Sequence, residues 1–326
     1  GFTRDVSDMY VVDPVSRLRV LRPNLDTGRV RTDSLGFRNP EIPQPKPPGT
    51  VRLAFVGAST TFCAEASSDQ AIWPAIVARR LQEAHPEVKI DYVNAGIPGF
   101  VVETSRTNFV SRVARLQPDI VIIYHATNDL SGDTRRIAAE RGFNDEAPER
   151  ASWLARRSVL VNLVEKNVAA WTRRDQVIRG ENQLEFDPEP LAADFEDRMV
   201  GLIRAAQESS MIVAVATFST RVRRGLTPEE QKSALITAAY YMPYMSVEGL
   251  IEGYAAYNRA IGRAARRTGA LLVAGENSIP ADADHFVDSV HFSDKGSARM
   301  ADRLIGAMIV HDAMTALIRD RAAKNR

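Results

Sequence analysis

Cysteine is the scarcest residue in this 326-residue chain, which contains only Cys63. A single cysteine excludes an internal disulfide framework and any metal site built from several cysteines. It gives no indication of redox chemistry. It says little about the cellular compartment, because many exported proteins also lack disulfides.

The chain also lacks an excess of charge of either sign. Its 42 Lys and Arg residues nearly balance 41 Asp and Glu residues, for a formal net charge of +1. No overall field therefore favours nucleic acid or a strongly anionic partner. The 44% hydrophobic and 25% charged content is that of an ordinary globular protein.

Long apolar runs are missing as well. No stretch approaches the roughly 18 apolar residues that cross a bilayer, and the first ten residues, "GFTRDVSDMY", lack the apolar core of a signal peptide. We expect the given chain to be soluble. Since it begins with Gly, we keep open that an export signal or membrane anchor precedes it.

From Val51 onward, apolar stretches of strand length alternate with amphipathic stretches of helical period. This alternation is typical of parallel βαβ units, and predicts a doubly wound α/β/α sandwich with a five-stranded parallel sheet, of the flavodoxin-like kind. The clearest helix ends before Gly269. In such sheets ligands bind beyond the carboxyl ends of the strands. The predicted strands are Val51–Val56, Lys89–Asn94, Asp119–His125, Met211–Phe218 and Ala270–Ala274.

Two segments do not follow this repeat. Residues 1–50 contain short β-like pieces followed by the proline-rich "NPEIPQPKPPGT", and we interpret them as an N-terminal extension and linker before a catalytic domain over residues 51–326. A helical insertion is predicted at about residues 131–190, including the amphipathic "SWLARRSVLVNLVEKNVAAW". It covers the active face, packs on the body of the domain or lies on a membrane surface.

The first strand ends in "AFVGASTTFC", where Ser59 follows Gly57 at the start of a predicted helix. An exposed hydroxyl at this place is either a nucleophile or a helix N-cap. The chain has no G-x-x-x-x-G-K-[ST] phosphate loop. Thr61 stands where the G-x-S-x-G elbow has its second glycine. Neither a nucleotide enzyme nor an α/β-hydrolase is favoured.

Candidate oxyanion donors follow the next two strands. In "NAGIPGF", Gly99 offers a backbone N–H to a developing oxyanion, or simply forms a turn. In "HATNDL", Asn128 offers a side-chain amide to the same place and Asp129 holds the loop, although Asn-Asp is also common in turns.

The last strand is followed by "DSVHFS", in which Asp288 precedes His291 by three residues. An Asp at this spacing can accept a hydrogen bond from Nδ1–H and leave Nε2 free to take a proton, which makes a general base with its orienting partner. A metal site is the competing interpretation, although no second, distant ligand cluster supports it. Its ligands would come from Asp282, Asp284, His285, Asp288 and His291.

Three further histidines, His85, His125 and His311, have no comparable carboxylate nearby in the sequence. We interpret them as structural or solvent-exposed.

In their order, these four blocks resemble those of the SGNH hydrolases, also called GDSL-type esterases and lipases, from about Val51 to Ile318. The resemblance implies an α/β/α sandwich that needs no cofactor and no metal. By that resemblance Ser59 would be the nucleophile, His291 the base and Asp288 its orienting partner. The oxyanion hole would be formed by the N–H groups of Ser59 and Gly99 and by the Asn128 side chain.

The sequence departs from the family pattern at Ala58, where "GDS" has Asp, and at Ala126, where "G-x-N-D" has Gly. Neither position has to donate a proton, so the departures concern pocket shape and loop rigidity. The stretch "DTGRVRTDSLGFRNPE" is similar to the lead-in of a bacterial SGNH subgroup that often follows a membrane anchor. This similarity favours export, periplasmic or membrane-anchored, over a cytoplasmic location.

The expected activity is ester hydrolysis through an acyl-enzyme, with a small-molecule, lipid or acetylated-carbohydrate ester as substrate. The alternatives are an O-acyltransferase that uses the same residues, and a non-catalytic carbohydrate-binding relative. The cluster Tyr240, Tyr241, Met242 and Tyr244 either stacks on a sugar ring or packs internally.

Overall fold

The computed structural model describes residues 9–143, 174–180 and 183–325. Its centre is a parallel sheet of five strands in the order β4-β3-β5-β6-β7. All five predicted strands are present, with ends that differ by at most two residues, so the predicted fold class is confirmed. The strands are β1 Tyr10–Val12, β2 Arg19–Leu21, β3 Thr50–Gly57, β4 Lys89–Asn94, β5 Ile120–Tyr124, β6 Ile212–Ala216 and β7 Leu271–Val273.

Helices flank this sheet. The one predicted most clearly from the sequence is α8, which ends at Thr268 with Gly269 in the left-handed conformation at φ +70°. The helices are α1 Ser59–Phe62, α2 Trp73–Ala84, α3 Val102–Asn108, α4 Thr127–Glu140, α5 Pro188–Gln207, α6 Pro228–Ala234, α7 Ile236–Tyr241, α8 Val247–Thr268, α9 Asp294–Ile309 and α10 Asp312–Ala323.

Strand β3 lies between β4 and β5, and every one of its residues is buried. The connection that follows β3 therefore leads to the strand on one side of it, and the connection that follows β4 leads back to the strand on the other side. A doubly wound sheet opens a crevice at such a switch in strand order, beyond the carboxyl ends of the strands. Gly57, the last residue of β3, pairs with Tyr124, the last residue of β5. The loops that follow these two strands consequently begin at the same edge of the sheet.

The N-terminal extension forms a small antiparallel sheet of β1 and β2, as the β-like pattern predicts. Residues 40–49, which hold the five prolines, contain neither helix nor strand. Phe37 and Ile42 nevertheless belong to the main hydrophobic core. The extension therefore packs on the rest of the chain, while the domain boundary at residue 50 stays a prediction.

The predicted insertion at about residues 131–190 begins within α4 and ends within α5, and its bounds stay a prediction. Residues 131–140 belong to α4, which begins directly after β5, and residues 188–190 begin α5. The helices α4 and α5 pack against each other, and both pack against α8. The amphipathic stretch at 152–171 lies outside the described residues. Within the described part of the chain, no helix has both the length and the apolar character to span a bilayer.

Candidate active site

Ser59 is the first residue of α1, directly beyond the carboxyl end of β3. The N-cap position is Ala58, and the Ser59 hydroxyl instead contacts Nε2 of His291 at 2.9 Å. The helix-cap interpretation of Ser59 is therefore wrong. Gly57 makes this turn possible, because a Cβ there would lie 2.0 Å from Oγ1 of Thr61.

His291 is held from its other side by Asp288. Nδ1 of the imidazole lies 2.7 Å from Oδ2 of the carboxylate, which also accepts a hydrogen bond from the Thr237 hydroxyl at 2.8 Å. Oδ1 accepts the backbone N–H groups of Val290 and His291, at 2.9 and 2.8 Å. Four donors thus fix the carboxylate, and Ser59, His291 and Asp288 form one continuous chain of hydrogen bonds.

Burial and charge act in opposite directions on the two ionisable groups. Burial lowers the pKa of His291, but the hydrogen bond that its Nδ1–H donates to Asp288, the charge of Asp288 and that of Glu65 outweigh this and raise the pKa to about 9. Burial raises the pKa of Asp288, but the hydrogen bond and charge of His291, with the backbone donors, hold it below its usual range. The pair is therefore imidazolium and carboxylate at neutral pH, and the neutral imidazole forms as the pH rises.

Glu65 is a further acidic group near this pair. Its Oε2 is buried without a hydrogen-bond partner among the residues described, and burial raises the pKa of its carboxyl. None of the sequence motifs includes Glu65, because a single glutamate in a polar stretch has no pattern that indicates a role in a site.

The metal interpretation of residues 282–291 is not supported. Within residues 9–143, 174–180 and 183–325, no group of three or more His, Cys, Asp or Glu side chains is arranged to hold a metal ion. Four of the five candidate ligands instead form two Asp–His pairs of equal spacing, because Nδ1 of His285 lies 2.7 Å from Oδ1 of Asp282, and the fifth, Asp284, pairs with Lys295. Only His291, of these two histidines, contacts Ser59.

Gly99 lies in the loop between β4 and α3, with φ at +85°. A Cβ there would meet nothing within 4 Å, so the backbone conformation calls for glycine and the space beside it is open. Gly96 in the same loop is different, because its Cβ would lie 2.6 Å from the backbone nitrogen of Phe62. The loop thus packs directly against the helix that begins with Ser59.

Asn128 and Asp129 connect the start of α4 to the loop that carries Gly99. Nδ2 of Asn128 donates to the carbonyl of Phe100 at 2.8 Å, and both carboxylate oxygens of Asp129 lie 3.2 Å from the backbone nitrogen of Val102. The Asp129 carboxylate thus contacts the first residue of α3, which follows the Gly99 loop, while its expected role in holding its own loop stays a prediction. Burial raises its pKa to about 7, although Arg198 nearby lowers it.

Both departures from the family motif are buried alanines that occupy N-cap positions. Ala58 precedes α1 and Ala126 precedes α4. Neither side chain reaches into the hydrogen-bond chain of the site.

The other histidines lie apart from this chain of hydrogen bonds. His125 is buried with Nε2 2.8 Å from Oγ of Ser105, and burial lowers its pKa to about 3. The expectation that His85 and His125 have no carboxylate neighbour is wrong. Nδ1 of His85 lies 3.3 Å from Oε1 of Glu87, and Nδ1 of His125 lies 4.0 Å from Oδ2 of Asp129. His311 precedes α10.

The aromatic cluster is divided between core and surface. Met242 and Tyr244 are buried, whereas Tyr241 is 51% exposed and its ring meets that of Tyr240 edge-on at 5.0 Å. Internal packing explains the first two residues. Tyr241 remains an aromatic surface at the end of α7, the helix that also supplies Thr237 to Asp288.

Several solved structures resemble the chain. An acetylxylan esterase from Geobacillus stearothermophilus has a TM-score of 0.48 at 16% identity, covering 81% of this chain and 95% of that one. An α/β hydrolase enzyme from the metagenome of Lake Arreo, Spain, has a TM-score of 0.47 at 15% identity, covering 79% and 94%. A two-domain esterase active on acetylated mannans has 0.48 at 15% identity, covering 81% and 50%.

No curated protein matches the sequence. The model of the GDSL-like lipase/acylhydrolase family matches residues 55–299, which is most of the chain. That range contains Ser59, Gly99, Asn128, Asp288 and His291.

Proposed function

Since the chain belongs to the GDSL-like lipase/acylhydrolase family and is a carboxylic ester hydrolase, we propose that it cleaves its substrate with Ser59 as nucleophile, His291 as general base and Asp288 as the orienting carboxylate. The observation that carries the proposal is the unbroken contact from Asp288 to His291 to Ser59, at 2.7 and 2.9 Å. Proton transfer requires the donor and acceptor atoms to lie within hydrogen-bond distance of each other.

In the first half of the reaction, the neutral imidazole of His291 takes the proton of Ser59 while Oγ attacks the ester carbonyl carbon. The tetrahedral oxyanion receives hydrogen bonds from the N–H groups of Ser59 and Gly99 and from the Asn128 amide. His291 then gives its proton to the leaving alcohol as the carbon–oxygen bond breaks. An acyl-Ser59 ester remains.

In the second half, water attacks the acyl carbon and gives a proton to His291. The imidazolium returns that proton to Oγ of Ser59, and the carboxylic acid leaves. Asp288 stays ionised throughout, because its pKa lies below the usual range. It therefore orients the ring and stabilises the imidazolium without taking up a proton.

The availability of the backbone donors supports this role for Gly99 and Ser59. Among the described residues, no acceptor takes the N–H of either one. Asn128 uses one amide hydrogen for the Phe100 carbonyl, which fixes the direction of the group and leaves its second hydrogen. The three unused donor hydrogens support the proposal that these groups form the oxyanion hole.

For the substrate we propose an acylated carbohydrate whose sugar ring packs on Tyr241. Thr237, which contacts Asp288, lies one helical turn before Tyr241 in α7. The carbonyl of Tyr241 contacts Ser131 and Arg135, at 3.4 and 3.3 Å, on the α4 face that begins with Asn128. These contacts link the end of α7 that carries Tyr241 both to Asp288 and to the helix of Asn128, which supports the proposal that the half-exposed ring borders the alcohol part of a bound ester.

The test compares nitrophenyl esters of increasing acyl length with acetylated sugars, using Ser59→Ala as the blank. Hydrolysis that disappears in this variant supports the nucleophile, and a residual rate equal to wild type would contradict it. A steep preference for acetyl supports the carbohydrate substrate, whereas a preference for long acyl chains would point to a lipid ester.

Tyr241→Ala and Tyr241→Phe separate stacking from other effects of the side chain. The alanine variant should raise KM for the acetylated sugar roughly two- to twelvefold, since an aromatic contact contributes about 0.5–1.5 kcal/mol. It should leave nitrophenyl acetate unaffected, and the phenylalanine variant should match wild type. Product analysis with an added sugar acceptor distinguishes transfer from hydrolysis, because transfer yields an acylated acceptor in place of free acid.

A further inference from the structure

Most of the N-terminal motif "DSLGFRN", Asp33–Asn39, is buried although it lies outside the matched family region, with only Ser34 exposed and Leu35 half-buried. Asp33 accepts hydrogen bonds from the backbone nitrogens of Leu35 and Phe37 and from the Asn39 side chain. These bonds fold the motif on itself and aim its last two side chains at the rest of the protein. Arg38 is fully buried.

The guanidinium of Arg38 contacts the end of the helix that Ser59 begins. Nη1 donates to the carbonyls of Phe62 and Cys63, at 2.8 and 2.7 Å, and the guanidinium lies over the Phe62 ring. The other nitrogens bind Asp69 at 2.8 Å and the Arg29 carbonyl at 3.1 Å. All three guanidinium nitrogens therefore donate hydrogen bonds, and two of these bonds go to carbonyls at the end of the nucleophile helix, α1, which begins with Ser59.

Helix α1 needs outside support because it has only four residues, Ser59–Phe62. A single turn is not stable alone, and its final carbonyls have no partner within the helix. The helix ends at Cys63 with φ at +58°, a conformation that a non-glycine residue rarely adopts. Arg38 supplies donors for the last two carbonyls at this strained end, and thereby holds the turn closed.

Asn39 makes a parallel connection to the loop of Gly99. Its Oδ1 accepts the backbone N–H of Asn94 at 3.1 Å, where that loop begins. The Asn94 side chain in turn donates to the Thr61 carbonyl and accepts from Gly96 N–H, each at 3.1 Å. The motif Asp33–Asn39 therefore makes hydrogen bonds both to the nucleophile helix α1 and to the start of the loop that carries Gly99.

Apolar contacts from the extension follow the same division. Leu21, Leu25 and Val30 cluster with Phe62 of the nucleophile helix. Val20 clusters with Ile97 and Phe100, which flank Gly99 in the chain.

From these contacts we propose that Arg38 is a positioning residue for catalysis, which acts through the carbonyls of Phe62 and Cys63 to hold Ser59 at the distance and angle that His291 requires. The inference depends on the proposed role of Ser59. Displacing a reacting atom by about 1 Å can reduce a rate about 10²-fold. By this proposal the N-terminal extension contributes to catalysis, because its residue Arg38 positions Ser59.

Arg52 provides a matched control. It is also fully buried, with a bidentate pair to Asp91 at 2.7 and 2.8 Å and bonds to the carbonyls of Leu116 and Pro43 at 2.9 and 3.0 Å. It belongs to the amino-terminal half of β3, whereas Ser59 follows the carboxyl end. Loss of a buried guanidinium fork should destabilise both variants, but only Arg38 contacts the nucleophile helix.

The experiment measures kcat, KM and the rate of Ser59 labelling by a fluorophosphonate for Arg38→Lys and Arg52→Lys, with thermal unfolding of each. We expect both substitutions to lower Tm. Only Arg38→Lys should reduce kcat and labelling, by about 10²-fold with little change in KM. Equal kcat values in the two variants would overturn the inference and leave Arg38 a structural residue.

If Arg38→Lys does not fold, Asp69→Ala and Asp91→Ala replace the pair, since each removes the carboxylate partner of one arginine. A lower kcat for Asp69→Ala alone supports the inference, and equal values overturn it. Wild-type activity that survives in Ser59→Ala would overturn the proposed function itself. An active, Ser59-dependent wild type with an unaffected Arg38→Lys would overturn only the present inference.

Discussion

Nε2 of His291 lies 2.9 Å from Oγ of Ser59, although 232 residues separate the two in the chain. A second pair, Asp282 and His285, has the same sequence spacing and the same 2.7 Å contact as Asp288 and His291. Local sequence produces both His–Asp pairs. Of these two pairs, only Asp288–His291 also contacts the hydroxyl of Ser59.

Replacing His291 with Ala should abolish ester hydrolysis while replacing His285 with Ala should not. Loss of the base from a serine hydrolase typically reduces kcat by more than about 10⁴-fold. Nitrophenyl acetate hydrolysis measures both variants under the same conditions. Comparable losses in the two would remove the special role of His291.

Replacing Asn128 with Ala should keep the fold and reduce kcat about 10²–10³-fold, because one oxyanion donor contributes roughly 3–4 kcal/mol to the barrier. Ser131→Ala is the control on the same face of α4 and should retain wild-type activity. Steady-state kinetics with circular dichroism makes the comparison. An unchanged kcat in a folded Asn128→Ala protein would exclude this side chain from the site.

The activity should rise with pH, because the neutral imidazole acts as base and the pKa of His291 is raised to about 9. The charge of Glu65 contributes to that increase, so Glu65→Gln should move the rise in kcat/KM to lower pH. Glu83→Gln, at an exposed position on α2, is the control and should leave the profile unchanged. A Glu65→Gln profile identical to wild type would contradict the assignment.

Stability should change with pH in the opposite direction. The pKa of His291 is higher in the folded protein, at about 9, than its ordinary value of 6.5. Its contribution to the free energy of unfolding is therefore complete below pH 6.5 and is lost as the pH rises through about 9. Wild-type Tm should fall over this window more than that of His291→Ala. Parallel Tm curves for the two proteins would show that the folded-state pKa is not raised.

Local sequence patterns were sufficient to predict the strands of the central sheet and the helix α8. The apolar stretches that form β3, β5 and β6 are buried at every residue, as central parallel strands between two helical layers must be, whereas the edge strands β4 and β7 are partly exposed. Gly269 ends α8 as its left-handed conformation requires. The order of the motifs after the strands also indicated the candidate site. The bounds of the insertion stay a prediction, because residues 131–140 continue α4 and residues 188–190 begin α5.

Residues that act through distant contacts gave no such signal. Thr237 lies 51 residues from Asp288, and Arg38 lies 24 residues from Phe62, so nothing near either one in the chain marks its partner. Glu65 is near Ser59 in sequence, yet its effect on His291 depends on burial, which a single sequence does not reveal.

The sequence by itself determined the alternation of strands and helices and the local Asp288–His291 pair, because both depend on periodicity and on spacing of a few residues. Only the tertiary structure decided that Ser59 contacts His291 and not His285, and that Arg38 donates to the carbonyl of Phe62 at the end of α1. The physical reason is that these contacts depend on how the sheet order and the packed extension bring distant segments to one edge, and hydrogen bonds form only where that packing leaves donor and acceptor within about 3 Å.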